Sequence, residues 1–153
     1  MLDEMEKTFV MIKPDGVQRG FIGKIIQRIE EKGFKIVAMK MTTISTAKAK
    51  EHYAEHAGKR FYQNLVDFIT SEPSVILVVA GKGAISAIRK MNGATNPAEA
   101  TPGTIRGDFG IETGRNVVHG SDSADSATRE VALHFGPTDI LDYNRIDEFW
   151  RYE

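Results

Sequence analysis

The chain has 153 residues and a mass of 17.0 kDa, and its 20 basic and 21 acidic residues give a net charge of -1. This length is typical of one domain with a sizeable core, so we expect residues 1–153 to form a single domain. The balanced charge argues against a strongly cationic nucleic-acid surface. The absence of cysteine excludes disulfides, thiolate metal sites and a cysteine nucleophile.

The first residues are acidic and lack the apolar segment of a signal peptide. The longest apolar stretch, Val75 to Ala80, is far shorter than the roughly 18 residues that a membrane span needs. The sequence therefore predicts a cytoplasmic protein that makes no membrane contact.

Short β-prone runs and amphipathic helical segments alternate along most of the chain. The predicted strands are residues 8–12, 34–41, 75–80 and 117–119, and the predicted helices are 22–33, 46–56, 61–70, 84–91 and 123–135. Pro14-Asp15-Gly16 is typical of a turn. This order predicts an α/β protein of the α+β type, a ferredoxin-like αβ sandwich whose small four-stranded antiparallel sheet is covered by helices.

Residues 93–120 contain six of the 14 glycines and two of the 5 prolines, with no sustained periodicity. The sequence predicts a long loop here, and loops of this length in compact domains are usually functional. At its end, His119 follows a β run and precedes Gly120, which leaves space beside the imidazole. Several groups suited to binding phosphate lie in or near this stretch, or at the end of the first strand: Lys13, Arg89, Thr95, Arg106, Arg115 and Asn116.

A second histidine pattern, His52-x-x-Glu55-His56, matches that of inverted zinc peptidases. Histidines four residues apart share one helix face, but a hydrolytic zinc site needs a third protein ligand that this segment does not supply. The pattern therefore favours a solvated helix with aromatic packing at Tyr53, and a zinc hydrolase remains the first alternative function.

The segment Asn116-Val117-Val118-His119-Gly120-Ser121-Asp122 resembles the active-site signature of nucleoside diphosphate kinases. Residues 10–20, VMIKPDGVQRG, resemble that family's first strand and turn. Residues 93–97 and 102–109 resemble its loop. The similarity extends over essentially the whole chain, from about Lys7 to the C-terminal Trp-Arg-Tyr-Glu.

The resemblance implies a ping-pong kinase that moves the γ-phosphate of a nucleoside triphosphate, typically ATP, to a nucleoside diphosphate through a phosphohistidine at His119. Phe61 would stack on one face of the base, with Thr113 on the other. The implied catalytic residues are His119, Lys13, Glu130, Ser121 and Asn116, and the implied nucleotide contacts are Lys13, Tyr53, Phe61, Arg89, Thr95, Arg106 and Asn116.

The family resemblance also implies Mg²⁺ that is carried by the nucleotide phosphates, with no metal ligand supplied by the protein. It implies a homo-oligomer, with a hexamer favoured over a tetramer, and no need for nucleic acid. Three positions depart from the family pattern: Ala80 stands in place of glutamate, Asn92 in place of an apolar residue and Thr113 in place of valine. These departures concern local stability and base handling rather than the reaction.

A non-catalytic RNA-binding module is the second alternative, because small ferredoxin-like sheets also serve as RNA platforms. That function needs a strand with RNP-type aromatic residues. Neither residues 8–13 nor residues 34–41 provide such a strand, and the net charge is unfavourable. The kinase is therefore the preferred hypothesis.

Overall fold

The computed structural model describes residues 5–153 and contains a 4-stranded antiparallel sheet. The strand order is β2-β3-β1-β4, with β1 at Glu6–Ile12, β2 at Lys35–Thr42, β3 at Ser74–Gly81 and β4 at Val118–Gly120. This arrangement confirms the predicted ferredoxin-like sheet. Residues 1–4, which belong to the predicted domain and to the predicted signal-free N-terminus, lie outside the described residues.

Helices cover the sheet on both faces. They are α1 (Pro14–Gln18), α2 (Ile22–Lys32), α3 (Thr46–His52), α4 (Tyr62–Ser71), α5 (Ala84–Asn92), α6 (Ile105–Phe109), α7 (Ala124–His134) and α8 (Glu148–Arg151). The clearest sequence signal was that of α2, whose Ile25 and Ile29 are buried one turn apart. This helix ends at Gly33, which takes the left-handed conformation with φ 106° that glycine adopts without strain.

Two predictions about helices were wrong in detail. The helix predicted over residues 46–56 ends at His52, and a separate 3-10 turn spans Ala54–His56. The turn predicted at Pro14 is the start of α1, in which proline occupies the first position. Proline has no N–H to lose there and its fixed φ suits a helix start, so the same residue is compatible with either structure.

The segment predicted as a loop, residues 93–120, is also partly regular. It contains a 3-10 turn at Pro97–Glu99, the helix α6 and strand β4. Asn96 and Thr104 cap the two helical pieces by accepting hydrogen bonds from Ala98 N and Gly107 N. Five residues are too few to produce a helical periodicity, so α6 left no signal of that kind in the sequence.

Two apolar clusters lie on opposite faces of the sheet, and β1 supplies both by alternation. Phe9 and Met11 pack with α3 and α4, whereas Val10 and Ile12 pack with α2, α5 and α6. Strand β3 is buried along its whole length, because helices cover both of its faces. Within residues 5–153, no helix is both long enough and apolar enough to cross a membrane.

The sheet register places the predicted site beside the end of β1. Strand β4 pairs with β1 so that His119 lies opposite Met11, and Val118 lies opposite Ile12. Lys13 follows directly after β1. The antiparallel pairing therefore brings the first and last predicted phosphate-binding residues of the chain to the same edge of the structure.

Candidate active site

His119 on β4 forms a tight hydrogen bond with a buried carboxylate. Its Nε2 lies 2.7 Å from Glu130 Oε1, which also accepts a 2.8 Å hydrogen bond from Ser121 Oγ. An acceptor carboxylate requires the hydrogen on Nε2, so the neutral ring keeps its lone pair on Nδ1. His119 exposes 21% of its side chain, so the ring is both oriented and accessible.

The strand–helix connection fixes this pair. Ser121 N donates to Phe9 O at 3.1 Å, which ties the end of β4 to β1. Ser123 then caps α7 by accepting from Ser126 N, and Glu130 is buried on that helix. His119 and Ser121 thus make two direct contacts that end on one carboxylate oxygen of Glu130.

Arg106 is a buried cation held by backbone carbonyl oxygens alone. Its guanidinium donates to Asn116 O at 3.2 Å, to Gly93 O at 2.9 Å and to Val118 O at 2.6 Å. Burial, assisted by the nearby Arg89 cation, lowers the pKa of Arg106 to about 10. The guanidinium keeps its charge at neutral pH, and it joins both ends of the predicted loop to β4.

Lys13, Asn116 and Thr95 form a continuous hydrogen-bond chain. Lys13 Nζ donates to Asn116 Oδ1 at 2.8 Å, and Asn116 Nδ2 donates to Thr95 O at 3.0 Å. Burial, with a further contribution from Arg106, lowers the pKa of Lys13 from 10.5 to about 8, and Asp15 acts in the opposite direction. This ammonium group is a poorly compensated charge that an anion would stabilise.

Arg89 on α5 reaches the end of β4 and donates to Gly120 O at 3.3 Å. Helix α5 approaches so closely because residue 120 is glycine: a Cβ there would lie 2.9 Å from Asn92 Nδ2 and 3.1 Å from Ile88 Cγ2. Asn92, one of the departures from the family pattern, therefore packs directly against the active-site strand.

Tyr53 and Phe61 lie on the other side of the site. Tyr53 is buried against His52, and burial together with the Glu130 charge raises its pKa to about 12. Phe61 is 47% exposed and borders a shallow groove with Phe68, Gly114 and Arg115. Thr113 is exposed and directly precedes Gly114, which lines this groove.

Two buried histidines that sequence analysis did not assign to this site lie near it: His52 beside His119, and His134 beside His52. His52 makes an edge contact with His119 at 4.8 Å between ring centroids, and its Nδ1 is 3.1 Å from His134 Nε2. Burial is the main reason that the pKa of His52 falls to about 2 and that of His134 to about 4. Both rings are therefore neutral under ordinary conditions.

The zinc-peptidase pattern does not form a metal face. Helix α3 ends at His52, so the spacing of four along one helix is lost, and His56 instead contacts Lys59 at 3.1 Å. Within residues 5–153, the grouping of three possible metal ligands is His52, His119 and Glu130. The 2.7 Å gap between His119 and Glu130 is filled by their shared hydrogen and leaves no space for an ion.

Val117 is the other feature that sequence analysis missed. It has φ 73°, and it is the one non-glycine residue of the described chain with positive φ. A β-branched residue rarely adopts this conformation, and such strain concentrates at functional sites. The sequence carries no signal for it, because valine before a histidine is typical of a regular strand.

Comparisons with known proteins show the family to which the chain belongs. The family model for nucleoside diphosphate kinase matches residues 6–140. The nucleoside diphosphate kinase of Methanosarcina mazei is 59% identical over 149 residues, which cover 97% of this chain and 100% of that protein. The chain belongs to the nucleoside diphosphate kinase family.

Solved structures agree with this membership. The halophilic nucleoside diphosphate kinase of Halobacterium salinarum, solved in complex with CDP, has a TM-score of 0.95 and 49% identity, covering 97% of this chain and 99% of that one. The Borrelia burgdorferi enzyme, a transition-state mimic with bound vanadate and ADP, has a TM-score of 0.90 and 38% identity, covering 95% and 96%. The family resemblance and the fold inferred from the sequence are confirmed.

Proposed function

We propose that this nucleoside diphosphate kinase transfers a γ-phosphate through Nδ1 of His119. The observation that carries the assignment is the His119–Glu130 pair, which leaves Nδ1 free on an accessible ring beside three cations. A nucleoside triphosphate and a nucleoside diphosphate occupy the site in turn. We assign the nucleotide contacts to Lys13, Tyr53, Phe61, Arg89, Thr95, Arg106 and Asn116.

In the first half-reaction, the Nδ1 lone pair attacks the γ-phosphorus. An N–P bond forms, the bond from phosphorus to the β,γ-bridging oxygen breaks, and the nucleoside diphosphate leaves with that electron pair. The ring becomes cationic because Nε2 keeps its hydrogen, and Glu130 stabilises that charge through the existing hydrogen bond. In the second half-reaction, a terminal oxygen of another nucleoside diphosphate attacks the same phosphorus and regenerates neutral His119.

The cations supply most of the transition-state stabilisation. Phosphoryl transfer depends mainly on positioning and charge stabilisation, and preorganised donors cost no reorganisation at the moment of reaction. Arg106 is preorganised by three carbonyl oxygens and Lys13 by Asn116 Oδ1. We assign Lys13, Arg89 and Arg106 to the transferring phosphate oxygens and Thr95 and Asn116 to the frame that positions them.

Magnesium fits the site as an ion brought by the nucleotide. Glu130 Oε1 is already occupied by His119 and Ser121, and Asp15 Oδ2 accepts from Val117 N. Asp122 is the exposed carboxylate near Arg89, and it would face the ion. When bound, Mg²⁺ neutralises phosphate charge, and the protein's own cations act on the remaining oxygens.

Base stacking on Phe61 would suit broad acceptance of nucleosides, because every base offers a π-face. The groove beside Phe61 also holds Arg115, whose guanidinium lies 4.1 Å from the ring centroid of Phe68. Thr113 remains a proposed neighbour of the base, since it directly precedes the Gly114 and Arg115 of that groove.

We also propose a homo-oligomer, with a hexamer favoured over a tetramer, in the cytoplasm. Large apolar side chains on the surface support self-association: Ile111 is 76% exposed, Phe149 82% and Trp150 84%. Exposed apolar surface of this kind is typical of subunit contacts. The single-domain organisation of residues 1–153 is part of the same proposal, and so is independence from nucleic acid and membranes.

The decisive experiment labels the protein with γ-labelled ATP and Mg²⁺. We expect acid-labile, base-stable label on one peptide that contains His119, none in His119→Ala, and full label in the control His56→Ala. His56 lies in a 3-10 turn beside Phe61 and Tyr53 and, within residues 5–153, makes no hydrogen bond or ring contact with His119, so its loss removes no phosphate-facing group. Transfer to a second nucleoside diphosphate that persists in folded His119→Ala would exclude His119 as the carrier.

A further inference from the structure

The residue before Val118 adopts a tight turn rather than a strand conformation. Val118 N donates to Asn116 O at 2.8 Å across Val117, whose φ is 73°. A hydrogen bond over two residues with positive φ at the centre defines the rare, strained form of the γ-turn. This conformation is strained for valine, so surrounding contacts must stabilise it.

Those contacts come from the start of α1. Val117 N donates to Asp15 Oδ2 at 2.9 Å, and Lys13 N donates to Val117 O at 2.9 Å. Glycine at position 16 allows this close approach, since a Cβ there would lie 2.9 Å from Val117 O. Both backbone polar groups of Val117 are thus bound by the segment Lys13–Gly16.

The turn determines which side of the sheet receives His119. In a regular strand, successive side chains point to opposite faces. Val117 and Val118 are consecutive, yet both belong to the cluster with Val10 and Ile12. The turn breaks the alternation by one residue, and His119 therefore faces the side of Phe9, where it meets Glu130.

We propose that Asp15 is a positioning residue for His119, acting through the γ-turn at Val117 that its carboxylate holds. This inference rests on the proposed role of His119. Asp15 touches neither nucleotide nor reacting atoms in this scheme. Its hydrogen bond stabilises the strained turn, and the turn orients the imidazole and keeps Asn116 in contact with Lys13.

Asp15 also carries a charge near Lys13, and this charge must be separated from the positioning role. Asp15→Asn keeps an oxygen that can accept from Val117 N but removes the charge, whereas Asp15→Ala removes both. Because Asp15 favours the charged form of Lys13, its loss lowers the pKa of Lys13 further. The asparagine variant should therefore lose activity at a lower alkaline pH while keeping its plateau rate.

The experiment measures single-turnover phosphorylation of His119 at saturating ATP in five proteins: the parent, Asp15→Ala, Asp15→Asn, Val117→Gly and the double variant Asp15→Ala/Val117→Gly. We expect Asp15→Ala to lower the plateau rate by roughly tenfold to a hundredfold with little change in KM, and Asp15→Asn to restore most of it. Val117→Gly accepts the positive φ without strain. When Val117 is already glycine, the factor by which Asp15→Ala lowers the plateau rate should be at least about threefold smaller than in the parent.

Ring nitrogen shifts of His119 by ¹⁵N NMR give a readout that does not depend on transfer. We expect the parent and Asp15→Asn to show the Nε2–H form and Asp15→Ala to show a tautomer mixture. An equal Asp15→Ala penalty in both Val117 backgrounds, or unchanged nitrogen shifts in folded Asp15→Ala, would overturn the proposal. Failure of the proposed function is distinguishable, because the unmodified protein would then form no phosphohistidine.

Discussion

The two sides of His119 differ in whether their charged and polar groups have partners of opposite charge or matching polarity. On the cationic side, formed by Lys13, Arg89 and Arg106, the positive groups rest on carbonyl and amide oxygens, and none takes part in an ion pair of residues 5–153.

On the imidazole side, formed by Glu130, His52 and His134, each group has a partner among the others or in His119. The carboxylate is satisfied by His119 and Ser121, and the two buried rings are neutral. Uncompensated charge is therefore a feature of the part of the site that we propose receives an anion. Apart from His134 Nδ1, which has no hydrogen-bond partner in the described part of the chain, polar groups are compensated in the part that we propose supports the nucleophile. Removing one group from each side should have different consequences for stability and for transfer.

The largest expected effect is that of Arg106→Met. This change removes a cation that we propose faces the phosphate, together with its hydrogen bonds to three carbonyl oxygens. We expect transfer to fall by about a hundredfold or more, and the free energy of unfolding to fall by about 3 kcal/mol. Single-turnover phosphorylation and urea unfolding measure the two effects.

Arg89→Met is the matched control, because Arg89 donates to one carbonyl only. It should slow transfer while changing the free energy of unfolding by less than about 1 kcal/mol. If both variants prove equally stable, the carbonyl contacts of Arg106 do not hold the loop, and the described difference between the cations is wrong.

A smaller effect concerns pH on the cationic side. Lys13 loses its proton as the pH rises through about 8, so the site loses a positive charge there. We expect the second-order rate constant for phosphorylation by dilute ATP to fall by about tenfold per pH unit well above that value. Lys13→Arg stays charged and should lack this decline, even though its plateau is lower. The same alkaline decline in Lys13→Arg would assign the titration to another group.

The smallest effect on transfer is expected for His134, the member of the imidazole side that does not contact His119 directly. The folded-state pKa of His134, about 4, lies below its unfolded value of 6.5, so its contribution to stability is complete above pH 6.5 and is lost as the pH falls towards 4. His134→Phe should keep most transfer activity at pH 7. Between pH 4 and 6.5, the unfolded parent binds about one proton more at this residue than the folded parent does. The unfolding free energy of His134→Phe should therefore change with pH less steeply, by the slope that corresponds to about one proton. Urea unfolding at pH 4.5, 5.5 and 7 measures this slope, and an unchanged slope would show that His134 does not cause the acid sensitivity.

The sheet and most helices were predictable because their signals are local. The apolar run of β3 and the isoleucine spacing of α2 reflect burial that follows directly from periodicity. The family motifs likewise led to His119, Glu130 and the cations. Helix α6 was missed because it is too short to show a period, and the break after His52 was missed because residues 46–56 carry no helix-ending glycine or proline.

The rest of the site depends on contacts between distant residues. His52 and His134 are 82 positions apart, and no local pattern pairs them. Asp15 is typical of a turn, and only the fold shows that its carboxylate binds Val117, 102 positions away. The exposed position of Thr113 depends likewise on how the segment before β4 packs.

The pairing of β1 with both β3 and β4 has a consequence for the order in which the protein matures. During synthesis, β1, β2 and β3 and their helices emerge before β4, and non-local contacts form late because loop closure is costly. Lys13 can form its hydrogen bond only after Asn116, 103 positions further along the chain, has reached its place beside β1. The ability to accept phosphate from ATP should therefore appear only when the last strand has docked. The time course of His119 labelling during refolding therefore measures the final step of folding. We expect it to lag behind any signal from helix formation.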